Sequence, residues 1–264
     1  MAYYLYALCY KDAVPDPSSS WPPGVNPDEK LSYICSGSLT ALVQEVDLSE
    51  FDTDALAQNL QRTDWLEAKV RAHDEIIRRL FEEVDAVVPV RFCTVFRTGE
   101  GVKSALDRWS KTIVADLERL RGAAEWGIKV YANERKCLET AEQAPGESQK
   151  LSSGIEYLRR KQRQEKLARQ VKEWIREQVN DCHQTLIKLS REYRVNPCEE
   201  DKSGERMALN SIYLIDQPSK PEWLGELEKL SERWTESGLR LVVSGPWPPY
   251  SFVTPVVEQD EPDE

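Results

Sequence analysis

The order in which strand-like and helix-like patterns follow one another limits this chain more than any single motif. Alternation of apolar and polar residues marks 126–132 as a half-buried strand, and a long helical pattern runs from about 153 to 193. Residues 207–215 read as a strand and 219–236 as a helix with Trp223, Leu224, Leu227, Leu230 and Trp234 on one face. Residues 239–243 read as a last strand. The order of the second half is therefore strand, helix, strand, helix, strand. It points to one sheet with helices on one face, a split-βαβ, ferredoxin-like arrangement.

The first half mixes the same ingredients. Residues 3–10 are β-prone, and 31–47 read as two strands turning at Ser36-Gly37-Ser38. Asp52 or Thr53 suits a helix N-cap, and apolar spacing from Leu56 to Phe81 predicts two helices or one kinked near Thr63-Asp64. Residues 86–96 are the strongest strand signal, with Pro89 implying an edge or a bulge. A helix then begins at 98–101, with Val102, Leu106, Trp109, Ile113, Leu117 and Leu120 as its apolar face and Gly122 as its stop. Residues 133–154 lack periodicity and read as a linker or loop. The expected fold class is therefore α+β with two α/β domains, one over 1–122 and a ferredoxin-like one over 123–252 with the long helix. An acidic tail over 253–264 reads as disordered.

Function classes narrow by exclusion. With 35 Lys and Arg against 46 Asp and Glu, a net charge of −11 argues against a general binder of nucleic acid or anionic membrane, and no apolar run is long enough to span a bilayer. The apolar start, Met1 to Tyr10, lacks the basic flank and cleavage site of a signal peptide, so the six scattered cysteines read as reduced cytosolic thiols. Gly99-Glu100-Gly101-Val102-Lys103-Ser104 follows a strand and opens a helix, but its glycines are too close together and its Lys is displaced for a phosphate loop. It reads as a helix N-terminus with Glu100 set against the dipole.

Cys182 and His183 are adjacent in a helix and point about 100° apart, which does not suit a nucleophile and its base. Cys182 reads as core and His183 as surface, while His73 lies in a charged stretch and reads as structural or solvated. No spacing suits a zinc site. No catalytic residue, metal or cofactor is assigned, and no enzyme is expected.

Two features suit partner binding. Residues 159–166 (Arg-Arg-Lys-Gln-Arg-Gln-Glu-Lys) form an entirely polar stretch of the long helix, either a solvated helix end or a basic arm docking on a protein or on RNA through Arg159, Arg160 and Lys161. The bases lack interleaved aromatics to stack on nucleotides. Trp21-Pro22-Pro23-Gly24 and Pro246-Trp247-Pro248-Pro249-Tyr250 are stiff segments displaying large rings, which either anchor a partner or fold back on their own domain.

Ser244-Gly245-Pro246-Trp247-Pro248-Pro249-Tyr250-Ser251-Phe252 resembles the C-terminal signature of the gas vesicle protein GvpF/GvpL family. Tyr4-Leu5-Tyr6-Ala7, residues 88–96 (Val-Pro-Val-Arg-Phe-Cys-Thr-Val-Phe) and residues 125–131 (Glu-Trp-Gly-Ile-Lys-Val-Tyr) agree with it in order and spacing, GvpF being the favoured likeness. The chain departs from the family pattern at Cys93, where Gly is usual, and at Ala7, where Gly is frequent. The resemblance implies a cytoplasmic accessory or minor structural protein of gas vesicle formation, with two α/β domains and a modified ferredoxin-like C-terminal one. It would engage the hydrophobic main shell protein GvpA and other Gvp proteins during nucleation and assembly, and keep shell protein from aggregating. Trp247, Tyr250, Phe252, Trp21, Arg159, Arg160 and Lys161 are the partner-binding candidates. The alternatives are an RNA-binding adaptor using 151–194 and an enzyme on a ferredoxin-like scaffold.

Overall fold

A computed structural model describes residues 2–15, 21–142, 153–199 and 205–255, with the side chains of 153–158 excepted. The chain is mixed α and β, and it divides into two compact units. One comprises the residues up to Ala124 together with those from Trp247 on; the other is Glu125–Pro246.

In chain order the first unit holds β1 (Ala2–Tyr10), β2 (Leu31–Ser36), β3 (Leu39–Val46), α1 (Leu48–Phe51), α2 (Thr53–Asn59), α3 (Thr63–Glu83), β4 (Val88–Pro89), β5 (Val95–Phe96), α4 (Gly99–Arg108) and α5 (Ser110–Leu120). Its sheet runs β2-β3-β1-β4, with β5 also paired to β1. β1 pairs antiparallel with β3 (Tyr4 opposite Gln44), with a register shift between Leu5 and Ala7. As the central strand it is covered on both sides, which is why its sequence is almost continuously apolar rather than alternating. Tyr4 and Tyr6 face α3, where both rings meet His73. Tyr3 lies on the other side, near Gly99 at the start of α4.

Side-chain caps set the helix starts. The Asp52 carboxylate accepts from Ala55 N–H at the start of α2, and the Thr98 hydroxyl accepts from Gly101 N–H at the start of α4. The pattern expected for 98–120 is broken at Trp109, whose backbone leaves helical geometry (φ −100°, ψ 7°), so two helices stand where one was expected.

The 86–96 strand is likewise divided, leaving two two-residue strands, β4 and β5. Two causes are local. Pro89 has no N–H for the ladder, and Cys93 sits in the left-handed region at φ 63°. That is the position where the resembling family usually has glycine, which adopts this conformation without steric cost.

The second unit holds β6 (Ala123–Ala132), α6 (Glu134–Glu142), α7 (Ser153–Lys188), β7 (Glu192–Val195), β8 (Arg206–Asp216), α8 (Lys220–Trp234) and β9 (Leu239–Trp247), with the ends of β6 and β9 reaching into the first unit's residues. The strand order is β7-β8-β6-β9. Residues 134–142, expected as loop, are helical, and the helix expected to reach residue 193 stops at Lys188. Its last residues turn instead into strand β7, which the sequence reading missed. The core is built from Trp126, Ile128 and Val130 of β6, Tyr213 of β8, Ile175, Cys182 and Leu186 of α7, and Trp223, Leu227 and Trp234 of α8. Trp126 and Tyr213 both pack on Trp223, with ring centroids 5.6 and 5.9 Å away. Each such fully buried large side chain contributes roughly 1.5–3 kcal/mol.

The segment from Trp247 to Phe252, grouped by sequence with the second domain, folds with the first unit. Residues 256–264, most of the expected acidic tail, lie outside the described residues.

Candidate functional site

The partner-binding candidates fall into a packed aromatic segment and an exposed basic one. In the first unit, Trp247 is half-buried, with the Arg78 guanidinium over its ring at 5.0 Å from the centroid. Pro248 and Pro249 are buried, and the Tyr250 hydroxyl donates to Asp74 Oδ1 at 2.8 Å. Phe252 is 1% exposed, so its ring serves as core and offers no surface.

The chain is then clamped by Asp116 on α5, a carboxylate only 3% exposed. It accepts from Thr254 N–H (2.7 Å), the Thr254 hydroxyl (3.0 Å) and Arg119 (2.7 Å), while Arg119 also donates to the Phe252 carbonyl. Charge-assisted bonds of this kind offset the cost of burying a carboxylate. Sequence reasoning missed Asp116 and Arg119, because an acid and a base three apart on a helix look like a solvated face.

Gly245, inside the same signature, has φ +121°, and a Cβ there would lie 2.8 Å from the Glu125 carbonyl oxygen. That spacing admits only glycine without a backbone shift.

Trp21 is half-buried and packs on the first unit's core. The loop that follows it is held by Gln44, a buried amide on β3 with four bonds. Its Oε1 accepts from the Tyr6 hydroxyl (2.6 Å) and Asn26 N–H (3.0 Å), and its Nε2 donates to the carbonyls of Asn26 (2.7 Å) and Glu29 (2.8 Å). A glutamine directly after the apolar run Ala41-Leu42-Val43 was the available signal for this role.

The residues most capable of chemistry are structurally engaged. His73 is 5% exposed. Its Nε2 lies 3.2 Å from the Val90 carbonyl, which can only accept, so Nε2 carries the proton and Nδ1 accepts from the Tyr4 hydroxyl at 2.9 Å. The Tyr4 oxygen in turn accepts from Cys93 N–H at 3.1 Å. Burial lowers the His73 pKa to about 4 and pushes the Cys93 thiol up to about 12. At neutral pH neither is charged, and this network fixes α3 to β1 and to the irregular 90–94 backbone.

His183, expected at the surface, is half-buried, with its Nδ1 2.6 Å from the Tyr213 hydroxyl and its pKa lowered by burial. Cys182 is core, as expected, and burial raises its thiol to about 12. Among the described residues no three of His, Cys, Asp or Glu are grouped as metal ligands.

In the second unit, Arg159, Arg160 and Lys161 are exposed, as is every residue from 159 to 166. Among the described side chains of this helix, the buried ones are Val171, Ile175, Cys182 and Leu186. Before them, Arg159, Arg160, Lys161, Arg163 and Lys166 are all exposed. No described helix is long and apolar enough to cross a membrane.

Comparison with known proteins matches this architecture. Residues 2–254 match the family model described as gas vesicle synthesis protein GvpL/GvpF. Gas vesicle protein L of Streptomyces sp. (strain CB03234) is 32% identical over 85% of this chain and 83% of its own length. Gas vesicle protein F1 of Halobacterium salinarum is 24% identical over 87% of this chain and 84% of its own. In fold, the chain is similar to the crystal structure of GvpF from Anabaena sp. PCC7120 (TM-score 0.67, 17% identity, 96% of each chain). It is also similar to that of GvpF from Microcystis aeruginosa (TM-score 0.65, 17% identity, 95% of this chain and 98% of the other). With one family description running from the first strand to the segment clamped by Asp116, this chain belongs to the GvpL/GvpF family of gas vesicle synthesis proteins, and its role lies in gas vesicle formation.

Proposed function

We propose that this protein is a cytoplasmic, non-enzymatic accessory factor that binds the hydrophobic main shell protein GvpA and other Gvp proteins during vesicle nucleation and assembly, keeping shell protein from aggregating. The observation that carries partner binding is the basic run at 159–166, exposed along its whole length, while the buried residues Val171, Ile175, Cys182 and Leu186 lie further along the helix. Eight lysines and arginines between residues 159 and 176 face two acids, Glu165 and Glu173, a field that steers an acidic partner segment at long range. The part of Trp247 not covered within its own unit is the aromatic candidate beside it. Tyr250 and Phe252 hold that segment from within the first unit, and Trp21 packs on the same unit's core.

The second unit serves this role as a modified ferredoxin-like domain with a long helix. The strand–helix–strand–strand–helix–strand order of β6, α7, β7, β8, α8 and β9, with the sheet order β7-β8-β6-β9, supports that assignment. The domain boundary falls near residues 122–125.

The test is capture of purified GvpA by the protein, by a triple variant (Arg159→Glu, Arg160→Glu, Lys161→Glu) and by Trp247→Ala, each checked for folding by circular dichroism. The expected result is binding by wild type, weakened in the folded triple variant and in folded Trp247→Ala. Failure of the folded wild type to retain GvpA or any other Gvp protein would refute the reading.

A further inference from the structure

The second unit carries an open pocket of about 560 Å³ between α7, the start of β8 and the start of α6, a volume in the range of ligand sites. Ile175 and Leu209, both buried, and the half-buried Val179 and Ala208 give it an apolar lining. Its rim is polar. Two rim cations are committed, Arg206 to Glu134 at 3.3 Å and Arg176 to Glu173 on its own helix. The remaining polar groups are open to a ligand. Among the described residues the side chains of Lys172 and Asn180 have no hydrogen-bond or ionic partner, and the His183 ring hydrogen-bonds through Nδ1 alone, to the Tyr213 hydroxyl.

The pocket continues the exposed basic stretch of α7. At 100° per residue, Lys161, Arg169 and Lys172 fall within about 80° of one another, and Val179 and His183 lie in the same sector. The three cations are exposed, and none has a carboxylate partner among the described residues. Arg169 donates only to the Glu165 carbonyl, one turn back. Glu165 is also the one acid from 161 to 172.

A row of unpaired cations ending in an apolar pocket specifies a ligand with carboxylates at one end and an apolar group at the other. Lys161 and Lys172 are about 16 Å apart along the helix axis, too far for one small anion to bridge. Resting on the partner role proposed for the basic stretch, we infer that α7 receives a peptide segment of its partner, acidic along residues 161–172, with one apolar side chain seated in the pocket. Val179 lies about 10 Å beyond Lys172 along the axis. In an extended segment the nearest carboxylate and the apolar residue are therefore about three positions apart. The charges steer and orient the segment, and the desolvated apolar side chain holds it.

Fluorescence anisotropy with the full chain tests this, using a labelled peptide Glu-Ser-Glu-Glu-Ser-Ser-Leu-Ser and the same peptide with Ser in place of Leu. The expected result is binding of the Leu peptide that weakens with salt, and binding of the Ser peptide that is weaker by about tenfold or more. Lys172→Glu, an exposed change, should weaken the Leu peptide by about fivefold or more. The chain's two histidines locate the contact on the wild type. In NMR the Leu peptide should shift the His183 ring signals and leave those of His73, buried in the first unit, in place.

A wild type that binds neither peptide overturns the inference, as does a Leu peptide that leaves His183 unmoved. Equal binding of the two peptides overturns the pocket but not the basic contact, which falls only if the folded wild type retains no Gvp protein. His183 signals that move with protein concentration alone would give the pocket to a second copy of the chain and overturn it too.

Discussion

The buried imidazole of His73 makes the stability of the first unit depend on pH in a calculable way. In the unfolded chain the ring titrates near 6.5; in the folded one burial brings it to about 4. Because the folded pKa is the lower one, protonation favours the unfolded state. The stabilisation is therefore complete above 6.5 and is lost as pH falls toward 4. The full difference is about 3 kcal/mol, and between pH 7.5 and 5 about 2 kcal/mol of it should disappear. Burial is the principal cause, opposed by the bond from Nε2–H to the Val90 carbonyl.

The chain has only two histidines, so a single substitution isolates the effect. Urea unfolding at the two pH values should show the loss in wild type. His73→Gln, although less stable at neutral pH, should lose about 2 kcal/mol less over the same interval. Nitrogen NMR should find the His73 ring neutral at pH 5, with its proton on Nε2. A ring that titrates near 6.5, or equal pH dependence in the two proteins, would refute the assigned network.

Two further substitutions probe the backbone and the clamp. Cys93→Val should cost about 2 kcal/mol or more, because a β-branched residue is poorly accommodated at φ 63°, whereas Cys93→Gly should stay within about 1 kcal/mol of wild type, relief of strain offsetting lost packing; chemical denaturation ranks the two. Asp116→Ala should cost about 2–3 kcal/mol by leaving the Thr254 and Arg119 donors without their carboxylate, while Glu118→Ala, exposed two residues along the same helix, should change stability by less than about 0.5 kcal/mol.

Much of the element order was legible because it rests on periodicity. β1, β2, β3, β6 and β8, helices α2, α3 and α8 and the final strand all follow apolar spacing, and Asp52 does cap its helix. The failures share a physical origin in backbone features that side-chain patterns do not record. The 86–96 run is as apolar as any strand, yet Pro89 and the left-handed Cys93 divide it. The continuation of α7 through residue 193 was plausible by spacing, but the helix ends at Lys188 and Tyr193 enters a sheet edge.

Long-range polar partnerships were less legible still. His73 shares a helical stripe with Ile76, Ile77 and Leu80, which hinted at burial, but its partners Tyr4 and Val90 lie far away in sequence. Asp116 gave no hint at all, because two of its three donors arrive from residue 254 and the third, Arg119, looks like an ordinary surface neighbour.

The signature around Trp247 gains its meaning from this geometry. A motif of tryptophan, prolines and aromatics near a chain terminus suggests a docking segment, since such rings lose little entropy on binding. Here the buried prolines, the Tyr250–Asp74 bond, the 1% exposed Phe252 and the Asp116 clamp all act within the first unit. That unit is completed only after the chain has traversed the whole of the second, because its core includes residues more than a hundred positions beyond α5. Constraint on the motif therefore follows from the folding of the first unit alone, whether or not it meets a partner. The basic turns of α7 are different: every residue from 159 to 166 is exposed, so these cationic side chains do not serve as core. That is the physical reason to test the proposed partner contact first at Arg159, Arg160 and Lys161, and second at the half-buried Trp247.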